Sequence, residues 1–128
     1  MNTQLRERLS RENRLRSSRE FTAVKSAGIR FRGKFCLLLV LARPGEPTRF
    51  GFITSRRSLG CAVRRNRGRR RLREIIRRRF PRMPQQGYWI VVIAYRAVLD
   101  AGHQELASEV EQLLAQAGAL SPIESPEH

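Results

Sequence analysis

The chain is poor in the residues from which protein active sites are built. It holds two cysteines and two histidines. Cys36 and Cys61 lie 25 positions apart with no histidine beside them, a spacing that offers neither a zinc site nor a disulfide framework. Both are expected to be small buried apolar residues, as free cysteines often are. His103 stands beside Gly102 in the acidic last third, without a partner at ligand spacing. The stretch from Gly45 to Gly51 is no phosphate-cradling loop, because Pro47 interrupts it and no Gly-Lys-Ser follows. Hydrolysis by a protein needs a nucleophile with its base, a carboxylate pair or a metal. None is assembled here, so no catalytic residue and no protein metal site are expected, and any chemistry the chain serves falls to a partner.

Long apolar runs are also missing. Nothing approaches the about eighteen apolar residues of a membrane-spanning helix. Residues 1–19 are polar and charged, without the apolar centre of a signal peptide, so the expected location is the cytoplasm. Lysine is nearly absent: Lys25 and Lys34 are its only instances among 26 cationic side chains. Arginine supplies the rest, and its planar fork suits bidentate phosphate contacts and base stacking better than a point charge does.

What the chain has in excess is positive charge, +15 net, unevenly placed. Nothing after Arg96 is Lys or Arg, and that last segment carries six acids. Between Arg56 and Arg82 stand thirteen arginines and one acid, Glu74. A solvated tail would keep no apolar stripe, yet Leu72, Ile75, Ile76 and Phe80 recur at helical spacing and share a side with Gly68 and Cys61. Asn66, Arg67, Arg70, Arg73, Glu74 and Arg77 fall opposite. The pattern predicts an amphipathic helix with its stripe on a core and its arginines outward. Gly68 inside it costs about 1 kcal/mol relative to alanine, a cost that close approach of helix to sheet would offset. Glu74 is expected to pair with Arg70, Arg77 or Arg78 one turn away.

The length suits one domain, 1–118, with a loosely ordered basic leader over 1–16 and a flexible tail over 119–128. Ser17 to Glu20 matches a capping box opening a short helix that Gly28 stops. Residues 29–42 predict one long strand, with Ile29, Phe31, Phe35, Leu37, Leu39 and Leu41 on one face and Cys36, Leu38 and Val40 on the other. A turn-rich loop over 43–48 leads to a returning strand over 49–54, so the pair predicts a hairpin. The continuous apolar run 88–95 predicts a central strand covered on both faces. Leu106, Val110, Leu113, Leu114 and Ala117 mark a last helix. The class expected is α+β, one small sheet with helices packed on it and one face only partly covered.

Such a chain is a binder of polyanions. A duplex DNA reader would carry a recognition helix in a helix-turn-helix or zipper setting, and neither signature is present, so no DNA is expected. Phosphate-rich RNA fits better, with Phe21, Phe31, Phe35, Phe50 and Phe52 divided between core and base stacking beside Arg30, Arg32 and Lys34. Membrane headgroups are disfavoured, because the basic helix has a short apolar stripe without tryptophan.

Thr54-Ser55-Arg56-Arg57, Gly60, Ala62-Val63 and Arg64-Arg65-Asn66-Arg67, followed by Arg69-Arg70 and Arg73-Glu74, closely resemble the RNR signature of the bacterial ribonuclease P protein component. Asn13-Arg14-Leu15-Arg16, Glu20-Phe21 and Gly28 resemble that family's first helix and turn, and 90–96 its last strand. The resemblance covers about residues 13–117. It implies a two-layer α+β sandwich, with a small, mostly antiparallel four-stranded sheet packed with helices and a left-handed β-α-β crossover. It implies an accessory subunit of an endoribonuclease whose catalyst is a large RNA. That RNA and the substrate hold Mg²⁺, and the 5′ leader of precursor tRNA is removed; the protein alone is not expected to be active. Carried over, Arg56, Arg57, Arg65, Asn66, Arg67, Arg69, Arg70 and Arg73 would dock on the catalytic RNA. Phe21, Lys25, Phe31 and Phe35 would line a cleft for the single-stranded leader. Gly68 and Arg71 depart from the family, which usually has aliphatic residues there, and Lys25 and Leu39 stand where aromatics are usual. A ribosomal protein or RNA chaperone would share the charge and size but has no reason to carry the motif.

Overall fold

A computed structural model of the chain describes residues 11–120. Its elements are α1 (Ser18–Ala27), β1 (Ile29–Arg32), β2 (Cys36–Pro47), β3 (Arg49–Ile53), α2 (Arg56–Leu59), α3 (Ala62–Arg79), β4 (Gln86–Ala94) and α4 (His103–Gln116). The four strands form one mixed sheet in the order β1-β2-β4-β3. β1 with β2 and β2 with β4 are antiparallel, while β3 lies parallel to β4. The tail expected over 119–128 falls mostly outside the described residues, as do positions 1–10 of the leader.

The leader's end is placed rather than loose. Arg11–Asn13 form a 3-10 turn, Arg14 bridges Phe50, and the Leu15 N–H donates to Phe50 O at 2.8 Å. Asn13 is buried with its amide donating to Thr48 O, and Leu15 is buried beside it, so this segment closes the free edge of β3. α1 follows, opened by the expected capping box. The Glu20 N–H donates to Ser17 Oγ, and the Ser17 N–H donates back to Glu20 Oε1. It ends at Gly28 for want of space: φ there is −76°, and a Cβ would stand 2.5 Å from Val24 O.

The long strand expected over 29–42 is two strands. The chain reverses at 33–35, where the Glu109 carboxylate of α4 accepts the N–H groups of Lys34, Phe35 and Cys36 at 2.6, 2.7 and 3.1 Å. A side chain on Gly33 would collide with that carboxylate. β2 then shows the expected alternation, with Cys36, Leu38 and Val40 in one core cluster and Leu37, Leu39 and Leu41 toward the other. The hairpin expected between β2 and β3 does not form either. β2 runs on to Pro47, and β4, apolar from Trp89 to Ala94, takes the central place between the two, its Ile90, Val91 and Val92 fully buried. β3 therefore reaches β4 through a crossover that contains α2 and α3.

One sheet face is closed by Leu72, Ile75 and Ile76 of α3 and by Leu106, Val110, Leu113 and Leu114 of α4. Burying each such side chain contributes about 1.5–3 kcal/mol. Among the described residues the other face is covered by Leu15 and by Phe21 and Val24 of α1, over Leu39, Trp89 and Val91. Leu37, Leu41, Ile53 and Ile93 stay half-buried beside it. Gly68 is buried as expected, but its neighbour is not the sheet. A Cβ there would come within 2.6 Å of Leu59 Cδ2 and 3.3 Å of Val98 Cγ1, so the glycine lets α3 approach α2 and the 3-10 turn Arg96–Leu99.

Candidate RNA interface

α2 and α3 set the direction of the arginines. The Ser55 hydroxyl accepts the Ser58 N–H at 3.1 Å and opens α2, which leaves Arg56 and Arg57 exposed. Gly60, at φ +95°, breaks α2 from α3 in a left-handed conformation that suits glycine. Cys61 is the residue before α3 and is exposed, which corrects the expectation of burial; Cys36 is buried in the core. Burial first, and then the Glu109 carboxylate, push the Cys36 thiol up to about 12.

Along α3, Asn66, Arg67, Arg70 and Arg73 are exposed, while Arg65 and Arg69 are half-buried. Arg69 is held by neutral acceptors, donating to Thr54 Oγ1 at 2.9 Å and to Asn66 Oδ1 at 3.1 Å. Its position is fixed while its charge stays available. Arg73 lies over the Phe52 ring at 5.8 Å. Two arginines of the run serve the fold instead. Arg71 donates to the carbonyls of Val98 and Ala101 at 2.7 and 2.6 Å, and Arg79 pairs with Glu111 at 2.8 Å. Glu74 pairs with Arg77 and Arg78, and hydrogen bonds from those two hold its carboxyl down at about 2. It therefore blunts only the far end of the basic face.

The four residues expected to share a leader cleft are divided by the sheet. Phe21 and Lys25 belong to α1, with Phe21 half-buried against Gly51 and Lys25 exposed. Phe35 is buried in the cluster beneath α3 and α4, and Phe31 packs on that same cluster. The reversal at 33–35 pairs Phe31 with Leu38, on the face opposite Leu37 and Leu39. In their place the register brings Arg30 and Arg32 of β1, paired with Leu39 and Leu37, onto the face that α1 leaves half-open. Both are exposed. Their alternation with Phe31 was visible in the sequence, but the face they occupy depends on the turn. Residue spacing could not show a pocket of about 140 Å³ where Arg14 and Phe21 meet Phe52, Arg69 and Arg73. Among the described residues no helix is long and apolar enough to cross a membrane.

Residues 9–118 match the family described as Ribonuclease P. The chain belongs to the ribonuclease P protein family. It is 45% identical over 108 residues to the ribonuclease P protein component of Symbiobacterium thermophilum, a match covering 84% of this chain and 92% of that one. Its identity to the component of Chloroflexus aggregans is 36% over 117 residues, covering 91% and 86%. The fold is similar to the RNase P protein of Thermotoga maritima, with a TM-score of 0.70 at 28% identity over 80% of this chain and 96% of that one. It is also similar to the Staphylococcus aureus protein, with a TM-score of 0.74 at 21% identity, covering 85% and 98%. The ribosomal or chaperone alternative gives way to this membership.

Proposed function

We propose that this ribonuclease P protein works as a non-catalytic subunit with two RNA-binding surfaces. The exposed face of α2 and α3, from Arg56 and Arg57 through Arg65, Asn66, Arg67, Arg69, Arg70 and Arg73, docks on the catalytic RNA. The half-open sheet face, with Phe21 and Lys25 of α1 and Arg30 and Arg32 of β1, receives the single-stranded 5′ leader of precursor tRNA. Mg²⁺ is held by the RNA subunit and the substrate, and hydrolysis of the phosphodiester is their chemistry. The observation that supports this most is the pinning of Arg69 by Asn66 and Thr54, which orders a cationic helix face without neutralising it. Base stacking and cationic side chains together suit an unpaired strand, which fits the second surface.

Two substitutions separate the surfaces. Both residues are exposed, so the fold should survive. Arg70→Ala is expected to weaken binding to the catalytic RNA about tenfold, the scale of one charge-assisted contact, while leaving the preference for leader-bearing over mature tRNA in saturated holoenzyme. Lys25→Ala should do the reverse. Equal effects of both variants on both measurements would contradict two separate surfaces.

A further inference from the structure

β1 is a short edge strand, four residues long, whose neighbour in the sheet is β2 alone among the described residues, so its own pairing does little to hold it. The turn at 33–35 fixes it, and that turn is held from α4. The Glu109 carboxylate accepts the N–H groups of Lys34, Phe35 and Cys36, and the Cys36 thiol donates to it as well, at 3.8 Å. Gly33 leaves the room for this: a Cβ there would stand 2.3 Å from Glu109 Oε2. Glu109 is half-buried, next to Val110, which packs in the core on the other side of the sheet from α1. Before the turn, alternation puts Arg30 and Arg32 on the half-open face, opposite Leu39 and Leu37. Among the described residues neither arginine forms an ion pair.

We propose that Glu109 is a positioning residue for the 5′ leader: by holding the β1–β2 turn from the opposite side of the sheet, it sets the face on which Arg30 and Arg32 meet the RNA strand. The inference rests on the leader surface proposed above and adds to it a residue that acts through β1 rather than by contact with RNA. Hydrogen bonds from backbone N–H groups to a carboxylate are stronger than neutral ones, and three converging on one side chain fix both the turn and the register that follows from it. A slip of one residue between β1 and β2 would exchange the faces, sending both arginines toward the cluster beneath α4 and Phe31 toward the open side. Charge supplies a sign that separates positioning from simple attraction. Removing the Glu109 carboxylate makes the protein more cationic, and Coulomb attraction alone then gives a tighter hold on a polyanion. Loss of positioning gives a weaker one.

The test uses holoenzyme reconstituted with the cognate catalytic RNA and measures KM and kcat for leader-bearing precursor tRNA, with binding of mature tRNA alongside. Glu109→Gln keeps the shape but replaces one acceptor oxygen with an amide donor, which cannot accept an N–H. It should raise KM for the leader-bearing substrate by about threefold to tenfold, the scale of ordering one or two long side chains at an interface. kcat, mature tRNA binding and affinity for the catalytic RNA should stay unchanged. Gly33→Ala, which displaces the carboxylate from the side of the turn and leaves α4 unaltered, should act in the same direction. Arg30→Ala combined with Arg32→Ala should reproduce the loss, and adding Glu109→Gln to that pair should cost nothing more. An unchanged or lowered KM for Glu109→Gln and Gly33→Ala, in proteins with native spectra, would overturn the proposal. So would an undiminished further loss when Glu109→Gln is added to the arginine pair, which marks a general effect on the fold. If the arginine pair itself keeps the full preference for leader-bearing substrate, β1 drops out of the leader surface and the positioning role goes with it. If the pair loses that preference while both Glu109→Gln and Gly33→Ala keep it, the surface stands and the positioning role alone falls.

Discussion

At the scale of single residues, Glu74 and Glu109 show how one carboxylate can serve either surface or core. Glu74 is held at about 2 by hydrogen bonds from Arg77 and Arg78, well below its ordinary 4.5. A depressed carboxyl contributes stability that is present above its unfolded value and lost as pH falls through the folded one. Its contribution should therefore fade between about pH 4.5 and 2. The pair is exposed enough that the effect is small. Urea midpoints measured across that window should fall less steeply for Glu74→Gln than for the unaltered protein, and identical acid limbs would contradict the assignment. Glu109 was not legible as structural in the sequence, where it reads as one of several acids on a helix. Its task, accepting three backbone N–H groups of the β1–β2 turn, is set 73 to 75 positions away. That separation is why residues 29–42 read as one strand and why their spacing puts Phe31 and Phe35 on the face opposite the one they occupy.

At the scale of elements, α3 is where sequence and structure agree most closely, because a helix announces its buried face through its own spacing. Gly68, Leu72, Ile75 and Ile76 are all buried, and Arg67, Arg70 and Arg73 all face outward. What spacing could not show is the partner of each residue. Gly68 meets Leu59 and Val98 rather than the sheet, and Arg71 caps carbonyls of the turn after β4. Strand pairing was legible only in part: β4 was recognisable as central from its apolar run, but its insertion between β2 and β3 depends on the crossover. Gly68→Ala should gain about 1 kcal/mol of helix propensity and lose more to crowding against the buried Leu59. Overpacking of this kind costs about 1–3 kcal/mol, so net destabilisation is expected. Chemical denaturation decides the sign, and a stabilised variant would show that α3 and α2 have room to separate.

At the scale of the whole molecule, charge is segregated. α2, α3 and β1 present arginines, while α4, drawn from the segment with no Lys or Arg, packs beside α3 on the same sheet face. RNA should therefore meet the arginines of α2, α3 and β1 and leave the outer face of α4 free. Binding to the catalytic RNA at several salt concentrations should give a log-log slope that falls by roughly 0.7 to 0.9 when Arg67→Ala removes a phosphate contact. Gln112→Lys, on the exposed side of α4, should leave the slope unchanged, and a steeper slope would place RNA on that face. The proposed division of labour, with the protein binding and the RNA catalysing, is tested most directly by 5′ cleavage of a precursor tRNA at low Mg²⁺, with the cognate catalytic RNA, with and without this protein, and with the protein alone. The expected result is strong stimulation of the RNA and no cleavage by the protein alone. Cleavage by the protein alone, or no stimulation by a correctly folded sample, would contradict it.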